Sequence, residues 1–261
     1  LERLAPREIV VSEDANIAEF LSGNITTRPV WEFEHSTAIN LLTQQFQTQD
    51  LHGFGISDLN LACCAAGALL QYLQYTQRTA LKHLHGIKVL QNQSYLILDA
   101  STRRNLELTQ NLQGGQEHTL ASVLDHTSCN MGARLLRRWI SQPLRDKTAL
   151  LERQAQVEYL LQQQLAEAVL AELKDIADLD RILTRVSLGS ARPRDLTGLR
   201  STLQALPRLV AIVNSTATPI CQAWSDNLSG HEALTELLER AIIENPPVVI
   251  RDGGVIADGF D

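Results

Sequence analysis

No residue pattern in this chain of 261 residues suits phosphate-transfer chemistry. P-loops that hydrolyse ATP have the form G-x-x-x-x-G-K-[ST], in which backbone amides cradle the phosphates and the lysine reaches their outer oxygens. The chain has 14 glycines, and none of them is followed by lysine. We therefore predict that this chain does not hydrolyse ATP, and that it has no catalytic residues, no cofactor-binding residues and no metal ligands.

Acidic residues in the N-terminal third are the one set with the chemistry of a metal-dependent nuclease, which needs several carboxylates around metal ions. They are Glu13, Asp14, Glu32, Glu34 and Asp50. Acidic residues are far more often solvated than catalytic, and we interpret these five in that way.

Histidines and cysteines give no stronger metal signal. His83 and His85 have a spacing that suggests a metal pair, but no cysteine or third histidine stands at a suitable distance. The four cysteines contain no C-x-x-C, and Cys63 and Cys64 lie in an alanine-rich stretch where we expect small buried hydrophobes. This usage indicates a reduced, cytoplasmic protein.

The charge distribution argues against strong DNA binding by this chain alone. The net charge is -7, and only residues 86–147 are basic, with eight Lys and Arg against five Asp and Glu. Duplex-binding modules owe most of their affinity to basic faces that contact phosphate. No apolar run approaches the ~20 residues of a membrane span, so we predict no membrane association.

The elements of the N-terminal part alternate between strand and helix, which predicts a mixed α/β unit. Residues 9–11 and 30–33 read as strands, because they are β-branched or alternate in polarity. Residues 35–46 have a helical period, and residues 59–77 predict a long apolar helix.

The middle of the chain predicts capped helices. Asp99, Ser101 and Thr102 offer side-chain oxygens for the N-cap of a helix that begins near Arg103, and Gly114 suits the end of that helix. Thr119 suits the N-cap of the next helix. Met131, Leu135 and Trp139 repeat every four residues and predict a buried face. Truncation of Trp139 to alanine would then cost about 3–5 kcal/mol.

The remainder of the chain reads as successive helices. We predict helices over 150–161, 173–186, 196–206 and 232–243, a loop over 225–230, and a hairpin around Gly253.

Several motifs stand in a fixed order between Leu98 and Leu144: LDASTRRNLEL, NLQGG, TLASVLD, MGARLLRRWI and QPL. This order resembles the start of the core (lever) region of the MutS family of DNA mismatch-repair proteins. LTQQFQTQDLHGFGI and CAAGALLQYLQYTQR resemble the second half of the family's connector domain, and PPVVIRDGGVIADG resembles a later core segment. The resemblance covers essentially the whole chain.

The resemblance implies an RNase H-like, partial α/β connector over residues 1–85 and a mainly α-helical core/lever domain over 86–261. It implies a piece of a longer mismatch-recognition ATPase that binds ATP and Mg²⁺ and contacts mismatched duplex DNA. The full protein would form a homodimer and lie in the cytoplasm, associated with the nucleoid. The family's Phe-x-Glu mismatch wedge is absent from this chain.

The resemblance also implies partner contacts. The connector of the family receives the repair protein MutL, and the uncharged residues Asn40, Thr43, Gln44 and Gln47 suit such a surface on the 35–46 helix. We expect Arg103 and Arg104 to fasten one domain to the next.

Arg134, Arg137 and Arg138 cluster on one helix, where a solvated or salt-bridged face is the favoured interpretation over a phosphate contact. Two other classes of function remain open from the residues alone. One is an unrelated helical adaptor that binds proteins, and the other is the metal-dependent nuclease.

Overall fold

The computed structural model describes residues 6–16, 23–77, 81, 84–89, 94–214, 218–247 and 253–260. The chain divides into two units, Leu1–Gln91 and Asn92–Asp261. None of the helices in the described ranges is both long and apolar enough to cross a membrane.

The first unit begins with a small parallel sheet. Strand β1 (Glu8–Ser12) pairs with β2 (Asn24–Arg28), with Glu8 opposite Asn24 and Ser12 opposite Arg28. The strand predicted at residues 9–11 is therefore confirmed, whereas β2 carries two threonines and an asparagine and was not predicted.

The strand predicted over residues 30–33 is wrong, because Val30–Phe33 forms a 3-10 helix. Pro29 precedes it, and Arg28 and Glu32 form an ion pair four residues apart that a fully extended chain would separate. The polar Glu32 is buried whereas Val30 and Trp31 are exposed, so the alternation in polarity does not mark a buried apolar face here.

Two helices complete the first unit. Helix α1 (His35–Phe46) and helix α2 (Asn60–Gln77) agree with the predicted spans. They pack against one another around Leu42, Cys63 and Leu70. Cys63 is buried and its thiol donates to the Ile56 carbonyl at 3.3 Å, but Cys64 is only half-buried. Burial raises the pKa of the Cys63 thiol.

The second unit starts with four helices of mixed length: α3 (Ala100–Asn105), α4 (Leu120–Leu124), α5 (Asn130–Ser141) and α6 (Lys147–Gln162). Of the three candidates for the first N-cap, Asp99 is the one that caps α3, which begins at Ala100 rather than near Arg103, and the predicted cap at Thr119 is confirmed. Asp99 accepts from the Thr102 amide at 2.6 Å, and Thr119 accepts from the Ser122 amide at 3.1 Å.

The predicted end of α3 at Gly114 is wrong. The helix stops at Asn105, and Glu107 has a positive φ of 44°. Asn111 then organises the following turn, because its side-chain oxygen accepts from the amides of Gln113 and Gly115. Gly114 lies in this turn, with φ 89°.

Tyr95 forms an isolated antiparallel bridge with Leu144, so the strand-like segment before α3 pairs with the residues after α5.

Five further helices form the remainder of the second unit: α7 (Ala166–Leu173), α8 (Leu179–Ser187), α9 (Pro193–Val213), α10 (Pro219–Leu228) and α11 (Glu232–Ala241). Helix α9 contacts the other four. The core that it shares with α8 and α11 contains Ile182, Leu199, Leu203 and Leu238.

Three predictions for this part need correction. The helix predicted over 173–186 is two helices, since α7 ends at Leu173 and Asp178 caps a new start. Residues 225–228 of the predicted loop belong to α10, and α9 continues through Pro207 to Val213. Of the predicted hairpin, residues 248–252 lie outside the described ones, while Ile242 and Ile256 form an antiparallel bridge.

Candidate functional site

The acidic residues considered as metal ligands do not share one site where the structure describes them. Glu32 is buried and engaged, because the Arg28 guanidinium donates to it from Nε at 2.8 Å. Glu13, Glu34 and Asp50 are exposed. Within the described ranges no three His, Cys, Asp or Glu side chains are grouped so that they could hold a metal ion. His83 lies outside those ranges, so the interpretation of His83 and His85 as part of a solvated loop rather than a metal site stays a prediction.

The predicted MutL-facing residues do share one face of α1. Asn40 and Gln44 are exposed one turn apart, and Gln47 is exposed at the C-cap. Thr43 is different, since it is half-buried and its hydroxyl donates to the Ile39 carbonyl at 2.8 Å. The face that a partner can reach therefore consists of two amide side chains on the helix and a third at its end.

A pocket of about 600 Å³ adjoins this face. Gln44, Gln47 and Gln74 contribute polar groups to its wall. Its apolar lining is formed by Leu41, Phe46, Leu81 and Leu84. The pocket thus combines an apolar interior with uncharged hydrogen-bonding groups, as sites that take a side chain of a partner do.

Gln45 holds one wall of this pocket in place. Its side-chain amide donates to the carbonyls of Leu81 and Leu84, at 2.7 and 3.3 Å. These two bonds hold Leu81 and Leu84 against α1. The sequence showed a glutamine-rich helix but no sign of this contact, because the partners are 36 and 39 residues away.

Arg103 and Arg104 differ in their surroundings. The Arg103 guanidinium donates twice to the Leu98 carbonyl, at 2.7 and 3.1 Å, and both residues belong to the second unit. Arg104 is exposed. Arg103 therefore stabilises the backbone just before α3. That Arg103 and Arg104 connect one domain to the next stays a prediction.

Arg134 is the one arginine in the described part of the second unit that forms ion pairs with two carboxylates. Its guanidinium donates in a bidentate manner to Asp178, with both contacts at 2.7 Å, and also to Asp180 at 2.9 Å. The bonds from Arg134 lower the pKa of the Asp178 carboxyl and raise the pKa of Arg134. Asp178 also caps α8, so one carboxylate links α5 to the start of α8.

The other two arginines of α5 are less constrained. Arg137 lies 3.8 Å from Asp125, whereas no acidic partner reaches Arg138 among the residues that the structure describes. In the described structure Arg134 and Arg137 are therefore salt-bridged and Arg138 is solvated, which agrees with the favoured interpretation.

The prediction that Trp139 is buried in a core is wrong. Trp139 is 40% exposed and Leu135 is 45% exposed. The Arg153 guanidinium carbon lies 3.7 Å from the centre of the Trp139 ring, which makes this a cation–π contact between α5 and α6. The apolar stripe is present on α5, but no described element covers it fully.

Comparison with protein-family models gives two matches in chain order. The model of MutS domain II matches residues 1–85, and that of MutS domain III matches residues 101–258. The chain belongs to the MutS family. The α1 face and its pocket lie within the MutS domain II match, and the Arg134 cluster and the α9-centred bundle lie within the MutS domain III match.

Membership of the MutS family confirms the resemblance drawn from the ordered motifs and places the chain among DNA mismatch-repair proteins. It excludes the unrelated helical adaptor. The two MutS domains found do not include the family's ATPase domain.

Proposed function

We propose that this chain is the joint of a MutS mismatch-repair protein, which connects the DNA-contacting regions to the ATPase. The observation that carries the proposal is the succession of MutS domain II and MutS domain III along one chain. On this proposal the chain is not itself an enzyme. Other parts of the full-length protein bind ATP, Mg²⁺ and mismatched DNA and form the homodimer, in the cytoplasm beside the nucleoid.

The contacts made by α9 support a mechanical role, because packed helices transmit force through discrete rearrangements of their interfaces. The Thr202 hydroxyl accepts from the Ala177 amide at 2.9 Å, and Arg200 donates to the Ile242 carbonyl at 2.6 Å. Tyr159 of α6 donates to the Val213 carbonyl at 3.1 Å. Directional bonds thus tie α9 to several neighbours along its length, so a displacement of one helix must affect the others.

The Arg134 cluster provides the test of this role. In the full-length protein we expect Arg134→Ala to reduce the stimulation of ATP turnover by mismatched DNA about threefold, while basal turnover and mismatch affinity change little. Arg138→Ala is the matched control, since it removes a charge from the same helix without breaking an ion pair in the described residues. Equal stimulation in both variants would contradict transmission through α5 and α8.

We also propose that the α1 face formed by Asn40, Gln44 and Gln47 contacts MutL, with Thr43 contributing from its half-buried position. The exposure of three amide groups beside a partly apolar pocket supports this surface. Uncharged amides suit a transient interface, because they exchange water for partner hydrogen bonds at little electrostatic cost.

MutL recruitment by the full-length protein on mismatched DNA tests this surface. Asn40→Lys combined with Gln44→Glu preserves the net charge and should weaken recruitment about tenfold, with mismatch binding and ATP turnover unchanged. Gln154→Lys combined with Gln156→Glu, both at exposed positions of α6, is the control. If the α1 variant recruits MutL as well as this control does, the face is merely solvated.

The parallel β1–β2 pair followed by α1 and α2 supports a further proposal, that the first unit has an RNase H-like fold. The nuclease alternative gains no support, because the structure brings its acidic residues to no common site in the described ranges.

A further inference from the structure

A second groove lies between α9 and α11, far along the chain from the α1 face, and nothing proposed above uses it. It has a volume of about 430 Å³. Leu203, Leu206, Val210 and Leu228 give it an apolar floor. A volume of this size accommodates a few side chains rather than a whole domain.

The rim of this groove is acidic. Glu232, Glu236 and Glu239 lie on one side of α11, spaced by four and three residues, and all three are exposed and line the groove. No Lys or Arg is among the residues that line it. An apolar floor beside a row of carboxylates is complementary to a helix that has apolar residues on one face and basic residues beside them.

Only part of this negative charge is satisfied within the protein. Glu239 accepts from the Gln204 side chain at 2.6 Å, and Glu232 accepts weakly from the Gly230 amide at 3.4 Å. For Glu236 the described residues supply neither a hydrogen bond nor an ion pair. This carboxylate stands at the middle of the row, where a partner's cation would lie between its neighbours.

Polar side chains other than the glutamates also line the groove. They are Gln204, Ser229, His231 and Thr235, and Pro207 of α9 lies in the same wall. Apolar, anionic and hydrogen-bonding groups therefore converge on one surface.

We propose that the α9–α11 groove is a docking site for a cationic amphipathic helix of a partner protein. Leucine or other apolar side chains on one face of that helix pack against the floor of the groove. Its Lys or Arg side chains pair with the row of glutamates on α11. Charge complementarity favours this occupant over an acidic or a uniformly apolar one. The site is independent of the MutL contact on α1.

The test uses the whole chain and a labelled synthetic helix of leucine and lysine, with its leucines at i, i+3, i+4 and i+7. Binding is followed by fluorescence anisotropy. Glu236→Lys should weaken binding about fivefold, and raising the salt concentration should reduce that difference. Glu152→Lys, at an exposed position of α6, makes the same change in net charge and should have little effect.

A variant whose groove is filled distinguishes docking in the groove from nonspecific attraction of the cationic peptide to an acidic protein. Thr235 lines the groove, so Thr235→Trp should occupy it without changing the charge and weaken binding about tenfold. A scrambled peptide of the same composition, which lacks an apolar face, should bind weakly to every variant. If Glu236→Lys and Glu152→Lys bind equally, or if the scrambled peptide binds as tightly, the proposal is wrong.

Sedimentation of the chain alone examines the other occupant, a second copy. Self-association that Thr235→Trp abolishes would assign the groove to a contact between copies and overturn the partner-helix proposal. A monomer that binds the amphipathic peptide supports it. Circular-dichroism spectra of each variant show whether the helices are retained, so that a lost signal is not mistaken for lost docking.

Discussion

The α1 and α2 helices of the first unit and the helices of the α4–α6 segment of the second unit were predicted from the sequence, yet the two regions pack in opposite ways. The first is closed around small residues. Ala38 is fully buried against Gly67, and Leu42 is buried beside them. In the second, helix α5 has no buried residue at all.

Large apolar residues are exposed in both regions, but the first region has only three on its two described helices, Leu61, Leu69 and Tyr75. The second region has nine. They are Leu120, Val123, Leu124, Leu135, Trp139, Leu150, Leu151, Val157 and Leu161. Periodicity establishes that residues share a face of a helix, because the helix repeats every 3.6 residues. It does not establish what covers that face. Burial requires a second element at the right distance, and in the described structure no element buries the apolar stripe of α5.

Gly67→Ala tests how tightly the closed region is packed, and it should have the largest effect. A methyl group at Gly67 would collide with the Ala38 side chain and would lie 2.5 Å from the Ala38 Cα. Since backbone cannot move aside as a side chain does, the helices must separate. We expect a loss of about 3 kcal/mol in unfolding free energy, measured by urea denaturation.

Gly53→Ala is the control for this variant, because a methyl group there meets no atom within 4 Å and the φ of Gly53 is not positive. Its effect should be within about 0.5 kcal/mol. Ala38→Gly added to Gly67→Ala should recover part of the lost stability. If Gly67→Ala is as mild as Gly53→Ala, α1 and α2 are not in close contact.

This pairing also shows where sequence reasoning reached its limit. The bounds of α1 were predictable because its apolar residues keep one period from Ile39 to Phe46. The close approach of α1 to α2 was not predictable. It depends on residues 38 and 67, which are distant in sequence, and on the lack of a side chain at Gly67. The bonds from Gln45 to Leu81 and Leu84 are similarly non-local.

Local chemistry was predictable where a residue acts on its own backbone, as the caps formed by Asp99 and Thr119 show. The polar face of α1 could be predicted from spacing, whereas its pocket and the α9–α11 groove could not. Both cavities arise from segments that meet only in the folded chain. The prediction for Trp139 was wrong for a different reason. Its apolar stripe is clear in the sequence, but we assumed that another element packs against it.

Trp139→Ala measures how open the second region is. Because the ring is 40% exposed and contacts the Arg153 guanidinium, we expect a loss of about 1.5 kcal/mol rather than the 3–5 kcal/mol of a buried tryptophan. Chemical denaturation followed by circular dichroism measures it. A double-mutant cycle with Arg153→Ala should give a coupling energy of about 0.5 kcal/mol. A loss above 3 kcal/mol would mean that the stripe is covered after all.

The pH dependence of Arg134→Ala should give the smallest effect. It tests the ion pair between Arg134 of α5 and Asp178 at the start of α8. Arg134 holds the folded pKa of Asp178 below its unfolded value of about 3.9, so the stabilisation is full above that value. It is lost as the pH falls through the lower folded pKa, where the carboxyl becomes protonated. Asp180 is 76% exposed and Arg134 is 47% exposed, so solvent screening keeps the gain small.

Urea denaturation of the parent and of Arg134→Ala across this range measures the difference between them. The other carboxyl groups with lowered pKa values, Glu8, Asp99 and Asp125, remain in both proteins and cancel. We expect the difference near neutral pH to vanish as Asp178 is protonated, and added salt to reduce it. Arg138→Ala should show no such titration. A difference that persists unchanged below the folded pKa of Asp178 would show that Arg134 stabilises α5 by packing rather than by its charge, and α5 would then be better covered than its exposure indicates.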